Sequence, residues 1–353
     1  MENSMEYRKI DNADISLSLF GLGCWAFGGG DYWGANHEQS QVNEVVHRAV
    51  DLGVNFFDTA EVYNEGRSES SLGLAMQGIP RDKFIVGSKI LPANCYPDKV
   101  AQHCEASLNR LKTDYIDIYM LHWPIHPHSI RHSTNDENVI NNPPELSDAL
   151  EALLKLKEEG KIRHIGVSNH SAIRLNTFPE EVNVVVNQLA YNLLCRAGEY
   201  EILPYCKKNG IGVIGYMSLL QGILADVYAD IESIPFLMKR TRHFDSRQNN
   251  LSRHGELGFE KETADALNDI RKIAKDSGVS MADLAIKWAV AHDAISTSLV
   301  GVRGVKRLEA NITAVNEALD FQLVNELNAV TDTLKEKLGN HVDYWESKEN
   351  DRS

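Results

Sequence analysis

The chain reads as a (β/α)8 barrel, an α/β fold in which eight parallel strands alternate with helices. Three observations predict it. Eight short apolar runs, of the kind expected for strands buried on both faces, take turns with amphipathic stretches. Gly53, Gly160, Gly210 and Gly278 stand at the ends of helical stretches, where a left-handed cap favours glycine. The 353 residues also run on without a Gly-, Ser- or Pro-rich linker or an obvious repeat, and that length is within the range of one barrel.

The strand candidates fall at 19–23, 55–58, 84–89, 116–122, 164–168, 184–188, 212–216 and 298–301. A short hairpin, 7–10 with 15–17, precedes them. Helical periodicity marks 39–52, 97–111, 146–159 and 199–208 among the intervening stretches. Strand–helix alternation argues for a parallel sheet, and eight strands argue for closure. One domain is expected over 1–353, with its core over about 7–335 and a C-terminal tail after it. Two connections are too long for simple turns: 126–144, rich in Asn, Ser, His and Pro, and 217–259, which carries Arg240 and Arg242. They follow the fourth and seventh strands, so they sit at the barrel's C-terminal face and read as lids.

Composition narrows the class. Hydrophobic content of 43% and charged content of 24% suit a globular chain with a sizeable core. No apolar stretch approaches the roughly 20 residues of a membrane span. Met1 to Glu6 carries no basic region ahead of an apolar one, so no signal peptide is expected. Cys24, Cys95, Cys104, Cys195 and Cys206 are scattered and never form a C-x-x-C pair, which predicts a reducing cytoplasm and no disulfide framework. A net charge of −14 argues against nonspecific nucleic-acid or anionic-membrane binding.

Chemistry gathers at the strand ends. Asp58 closes the second strand candidate, Lys89 the third and His122 the fourth, and Tyr63 follows Asp58 in the next loop. Barrel enzymes assemble their catalytic groups at this end of the sheet. A phenol with an ammonium, a carboxylate and an imidazole beside it reads as an acid with the groups that tune it. Each residue alone has a blander reading, since a strand-end Asp often caps a helix and a buried Tyr often only packs. Their joint placement is what points to a site.

Five stretches carry a family resemblance: GVNFFDTAEVYNEGRSESSLG (53–73), DYIDIYMLHWP (114–124), GKIRHIGVSN (160–169), VVNQLAYNLL (185–194) and GVRGVKRLEANI (301–312). They occur at strand ends in family order across nearly the whole chain. The sequence resembles the aldo-keto reductases, closest in appearance to the bacterial branch with general stress and inositol-associated enzymes. The resemblance implies NADPH-dependent reduction of an aldehyde or ketone carbonyl, with NAD as the alternative cofactor. By it Tyr63 gives the proton, Lys89 lowers the tyrosine pKa, Asp58 positions Lys89, and His122 orients the carbonyl. Ser168, Asn169 and Gln188 would hold the nicotinamide carboxamide, with Tyr216 stacked on the ring and Gly23, Trp25 and Asp58 nearby. Ser218, Leu219, Gln221 and Gly222 would line the pyrophosphate, and Gly301, Arg303, Arg307 and Asn311 the adenosine end. Trp25, Trp33, Tyr63, His122 and Trp123 would form the substrate pocket, with Tyr32 at its mouth.

The chain also departs from the family pattern. Met217 stands before Ser218 and Leu219 where the branch has Ser-Pro-Leu, and Asp226-Val227 replaces a Gly-Lys pair. The missing lysine puts cofactor affinity in question, with Arg240 or Arg242 as substitutes. No G-x-G-x-x-G follows a strand, so no Rossmann domain is indicated. Gly28-Gly29-Gly30 reads as a flexible loop at the substrate mouth. His122, His126, His128 and His132 invite a metal reading, but Pro124 and Pro127 argue against a regular helical face and no acidic ligand motif accompanies them, so no metal is expected. Aromatic residues at the mouth suit small aromatic or sugar-derived carbonyls. Two other classes stay open: a cofactor-binding regulatory barrel, as in the potassium-channel β subunits of the family, and a metal-dependent barrel hydrolase. The expected partner is a small carbonyl compound, with no nucleic acid or membrane, and a homo-oligomer is left open.

Overall fold

The computed structural model describes residues 5–30 and 38–353. Its strands are β1 (Tyr7–Lys9), β2 (Ser16–Ser18), β3 (Phe20–Gly23), β4 (Phe56–Asp58), β5 (Ile85–Ile90), β6 (Ile116–Leu121), β7 (Ile162–Ser168), β8 (Val184–Ala190), β9 (Gly212–Tyr216) and β10 (Ile295–Val300). Strands β3 to β10 pair in chain order, all parallel, and β10 closes on β3. The helices are α1 (Gln39–Asp51), α2 (Arg67–Ala75), α3 (Pro97–Leu111), α4 (Pro127–Ser133), α5 (Glu137–Asn141), α6 (Leu146–Glu158), α7 (Ala172–Leu175), α8 (Ile202–Lys208), α9 (Glu260–Ser277), α10 (Met281–Ala291), α11 (Val305–Val315) and α12 (Phe321–Leu338). The chain is the eight-stranded barrel expected, with the N-terminal hairpin in place.

Side chains alternate along each strand, so one set enters the barrel and the other meets the helices. The inner set includes Phe56, Ile118, Met120, Val186, Ile214 and Leu299. Small residues on neighbouring strands make room for them: a Cβ on Gly166 would lie 2.7 Å from Val186 and 2.8 Å from Met120. Ile10 and Leu17 join this cluster. The segment 8–12 is tied to the strand starts, because Arg8 donates to the carbonyls of His292 and Ile295, and Asn12 to that of Val184. The hairpin region therefore plugs the N-terminal end and leaves the opposite end for chemistry. Outside the barrel, α1 buries Val42, Val45, Val46 and Ala49 at helical spacing, and each larger side chain contributes about 1.5–3 kcal/mol on burial.

Several boundaries differ from the sequence expectation. β10 starts at Ile295 rather than 298 because Ser296, Thr297 and Ser298 are buried strand residues, not loop. Ser298 pairs with the Ser218 hydroxyl at 2.6 Å, which satisfies it inside the protein. β7 starts at Ile162, two residues before 164. The helix expected from 199 starts at Ile202, after a separate turn at Ala197–Glu199. Pro127 does not prevent a helix: it occupies the first turn of α4, where the missing N–H costs nothing. The connection 126–144 thus contains α4 and α5.

The segment after α12, expected as a tail, packs over the C-terminal face. Asp343 and Tyr344 are buried, as is Arg352. The Tyr344 hydroxyl accepts the Ala197 N–H at 2.8 Å, and the Arg352 carbonyl accepts Ser129 Oγ at 3.2 Å.

Candidate active site

Asp58 ends β4, Lys89 is the penultimate residue of β5, and His122 directly follows β6. Lys89 is fully buried at 0% exposure. Its Nζ donates to Asp58 Oδ1 at 2.8 Å and Oδ2 at 2.9 Å, and to the Thr59 carbonyl at 2.7 Å. The Tyr63 hydroxyl lies 3.2 Å from the same Nζ. Gln188 Nε2 donates to Asp58 Oδ1 at 2.7 Å. The structure therefore brings together three of the four expected groups by direct contact. His122 completes the set by ring packing, its centroid 5.8 Å from that of Tyr63 in an edge-on arrangement.

Burial opposes charge throughout this array. It pushes the Asp58 carboxyl up and the Lys89 ammonium down, each against their mutual attraction. Burial holds His122 well below its ordinary value, with the positive charges of Lys89 and Arg352 adding to the effect. Tyr63 departs from expectation. Burial raises its pKa well above 10, and the charges of Asp58 and Cys24 raise it further. The Lys89 ammonium is already matched by Asp58, so little of its field is left to depress the phenol. Tyr63 and His122 both rest neutral near pH 7.

Tyr63 sits on a strained turn. Asn64, Glu65 and Gly66 all have left-handed backbones, with φ of 50°, 59° and 83°. Asn64 secures the turn by donating Nδ2 to the Trp25 and Phe27 carbonyls at 2.7 and 2.8 Å. Gly28 packs close against it: with φ of +78°, a Cβ there would lie 2.6 Å from Arg67 Cβ and 2.7 Å from its carbonyl oxygen. Gly28 is thus a close-approach residue, not part of a loose loop.

A cavity of about 760 Å³ opens beside the array, within the range of cofactor and ligand sites. Asp58, Tyr63, His122, Gly23, Trp25 and Trp123 line it. So do Ser168, Asn169, Gln188 and Tyr216, then Ser218, Leu219, Gln221 and Gly222, then Gly301, Arg303, Arg307 and Asn311. Within the group, Asn169 Nδ2 donates to the His122 carbonyl and its Oδ1 accepts the Tyr216 hydroxyl at 2.7 Å. Ser218 is tied down by the Leu299 carbonyl at 2.9 Å. Met217, Leu220, Gln221 and Asp226 have positive φ, so the segment after β9 is bent tightly around the cavity. Trp33 and Tyr32 lie outside the described residues.

The far end suits a nucleotide. Asn311 Nδ2 is buried with no hydrogen-bond partner, so its donor is left for a bound group. A Cβ on Gly301 would meet only the Gly23 carbonyl oxygen, at 3.6 Å. Two arginines stand there, a donor set suited to phosphate. The departures noted in the sequence resolve differently from one another. Asp226 is engaged by Arg271 at 2.6 Å, so its charge is matched. Val227 lines the cavity, as does Arg240. Arg242 does not; it is buried on Glu256 and the Leu338 carbonyl.

His132, Arg253, Trp345 and Arg352 also line the cavity; sequence reasoning weighed His132 only as a metal ligand and missed the other three as site residues. Trp345 lies near-parallel to Tyr216, its centroid 6.5 Å away with the planes inclined by 13°. His128 and His132 share α4, yet no group of three or more potential ligands that could hold a metal occurs among the described residues. No helix among them is long and apolar enough to cross a membrane.

Comparison with known proteins bears on this arrangement. Residues 20–332 match the model of the aldo/keto reductase family. Aldo-keto reductase YhdN of Bacillus subtilis is 31% identical over 350 residues, covering 95% of this chain and 96% of its own. The NADH-specific methylglyoxal reductase of Escherichia coli is 29% identical over 339 residues, covering 90% and 97%. Among solved structures, the holo form of a Bacillus halodurans aldo-keto reductase superposes with a TM-score of 0.71 at 22% identity, over 92% of this chain and 96% of that one. The barrel, the strand-end array and the match over most of its length make this chain a member of the aldo/keto reductase family.

Proposed function

We propose that the chain reduces aldehydes and ketones with a nicotinamide cofactor, NADPH in preference to NADH, and that Tyr63 supplies the proton. The observation that carries this reading is the buried Asp58–Lys89–Tyr63 array, which opens through Tyr63 and His122 onto the cavity. A cofactor bound along that cavity would supply the hydride. Ser168, Asn169, Gln188 and Tyr216 would hold its nicotinamide end, the segment 217–222 its middle, and Gly301, Arg303, Arg307 and Asn311 its adenosine end.

The remaining work falls to the protein. A carbonyl oxygen gaining negative charge needs donors aimed at it. Tyr63 rests protonated and provides one O–H. Neutral His122 provides one N–H, which orients the oxygen without adding a competing charge. When the Tyr63 proton leaves, the phenolate left behind lies 3.2 Å from the Lys89 ammonium. Asp58 keeps that ammonium in place. Trp25 and Trp123 line the cavity beside Tyr63 and His122, which favours flat or sugar-like carbonyl compounds. The five cysteines are free and buried, which suits a reducing cytoplasm.

The test is NADPH consumption across a panel of aldehydes, ketones and sugars, with Tyr63→Phe as the control. Turnover that is lost in the variant supports the reading. Tight NADPH binding with no turnover of any carbonyl would replace it with a cofactor-binding regulatory protein. Because the Escherichia coli relative is named as NADH-specific, cofactor preference is to be measured on this chain directly.

A further inference from the structure

The chain is acidic, at −14, yet its cavity is not. The described lining residues include five arginines (Arg240, Arg253, Arg303, Arg307 and Arg352) and one carboxylate, Asp58. Asp58 is already matched by Lys89, just as Arg352 is by Asp343 and Arg253 by Glu346, so what these two arginines offer a ligand is unused donors and not unmatched charge. Arg303 and Arg307 belong to the end assigned above to adenosine. Arg352 stands at the end with His122 and Trp123, and Arg253 lines the same cavity near His132. The Arg352 guanidinium lies 3.9 Å over the ring of Trp123, the residue after His122. Arg253 and Arg352 both bear on His132, whose pKa is lowered to about 4, by burial first and then by these two charges.

Each of these two arginines is anchored by a carboxylate that does not line the cavity. Arg352 donates Nε and Nη2 to Asp343 at 2.6 and 2.8 Å, leaving Nη1 without a hydrogen-bond partner among the described residues. Arg253 donates Nε to Glu346 at 2.5 Å, leaving both Nη groups. Asp343 is fully buried and Glu346 nearly so. The Arg352 guanidinium is thus fixed by two bonds in a buried setting, while Arg253, 42% exposed, is held through Nε alone; both keep donors unused. A fixed arginine fork matches the oxygens of a carboxylate or phosphate. A neutral substrate covering it would strand those donors, which is unfavourable.

We propose that the preferred substrates carry an oxyanion remote from the carbonyl, and that Arg253 and Arg352 bind it while the carbonyl oxygen meets Tyr63 and His122. This rests on the carbonyl-reductase reading. The long loop supplies one arginine and the C-terminal segment the other, so both act as specificity elements and not only as cover. If the two ion pairs merely staple the C-terminal segment down, charge on the substrate has no effect.

A matched pair of substrates tests this on the full chain with NADPH: para-carboxybenzaldehyde against its methyl ester. The acid should show a kcat/KM about tenfold higher or more, the scale of one charge-assisted hydrogen bond. The acid-to-ester ratio should fall towards one in Arg253→Met and recover in part in Arg253→Lys. Because Arg352→Met alone would strand Asp343, its arm uses Arg352→Met with Asp343→Leu, and the ratio should fall there too. An ester turned over as well as the acid by the unmodified protein would overturn the inference and leave the reductase reading intact. No turnover of any carbonyl would overturn the reductase reading, and binding then decides the site on its own. Terephthalate should quench tryptophan fluorescence saturably and bind about tenfold more weakly to Arg253→Met; equal binding to both proteins would sink the proposal. A triose phosphate against its free triose separates the two oxyanions. A larger ratio in that pair than in the benzaldehyde pair assigns the site to phosphate, and a smaller one to carboxylate.

Discussion

The Lys89 ammonium touches the Tyr63 hydroxyl at 3.2 Å while making three shorter contacts, to both Asp58 oxygens and the Thr59 carbonyl. An ammonium has three protons, so Tyr63 is the fourth and weakest claimant in the resting protein. That order has a consequence. The lysine is held by its other partners and does not depend on the phenol for its position. It becomes a strong partner of Tyr63 only when the phenol loses its proton. This is stabilisation that grows as the reaction proceeds, which is the kind that raises rate and not only affinity.

Tyr63→Phe should therefore abolish carbonyl reduction and leave NADPH binding nearly unchanged. Fluorescence titration alongside turnover checks both. Lys89→Met should also abolish turnover, but it strands Asp58 as a buried charge, so a loss of about 3–5 kcal/mol in stability should accompany it. Turnover undiminished in Tyr63→Phe would remove the hydroxyl from the mechanism.

The pH dependence follows from the Tyr63 shift. Its pKa is raised, by burial before any other cause, so the proton needed for reduction stays in place well past neutrality. Reduction should not decline between about pH 6 and about pH 9 on account of this group. Alcohol oxidation needs the phenolate, so its rate should climb with pH over the same window. His122 is shifted down and should give no acid limb there. Initial rates in both directions decide the matter, and an oxidation rate flat with pH would contradict the assignment.

Much of this was legible in the sequence, for a physical reason. Strands buried on both faces read as short apolar runs, so the barrel and the strand-end positions of Asp58, Lys89 and His122 follow from pattern alone. The start of β10 was not legible because Ser296, Thr297 and Ser298 look like loop, and the hydroxyls of Thr297 and Ser298 find partners distant in sequence, the Leu19 carbonyl and Ser218. The direction of the Tyr63 shift was also hidden, since it depends on how fully Lys89 is taken up by Asp58. Arg352 and Trp345 were missed because their segment, charged and C-terminal, has the composition of a solvated tail. Partners distant in sequence, Ala197 on Tyr344, Ser129 on Arg352 and Arg253 on Glu346, together with the buried Asp343 paired to Arg352, turn that segment into part of the site.

The turn carrying Tyr63 offers a separate check. Asn64→Val removes two hydrogen bonds and forces a β-branched residue to adopt φ near 50°. The strain costs about 1–3 kcal/mol, and each lost bond about 0.5–1.5 kcal/mol. Asn64→Gly loses the bonds but accepts the backbone. The valine variant should lose more kcat and more thermal stability than the glycine variant. Equal effects would mean that the hydrogen bonds alone matter.

Cofactor preference tests the arginines at the adenosine end. Arg303→Ala should weaken NADPH by about tenfold or more, since a hydrogen bond to a charged group is worth about 1.5–3 kcal/mol, and should barely change NADH. Val227, standing where the family branch has lysine, should weaken both nucleotides together. Dissociation constants for the two cofactors in both proteins measure this, and equal constants in the unmodified protein would make Arg303 and Arg307 ordinary surface residues.

The C-terminal segment should also matter for stability. Arg352 and Asp343 form a bidentate pair, with side-chain exposures of 3% and 0%. Asp343→Asn leaves the buried guanidinium with only Glu346, 4.0 Å from its Nε, to offset its charge, and losing one member of such a pair costs up to about 3–5 kcal/mol. Removing both, as Arg352→Met with Asp343→Leu, exchanges the pair for apolar contact and should be far milder, because the desolvation cost of both charges disappears with them. Chemical denaturation of the three proteins distinguishes the cases. The single variant should shift to a clearly lower midpoint at an unchanged slope, with the double variant falling between it and the parent. If Asp343→Asn unfolds with the parent's midpoint, the segment contributes nothing to the global stability. Arg352 would then be held at the cavity by the Trp123 ring and the Ser129 contact instead.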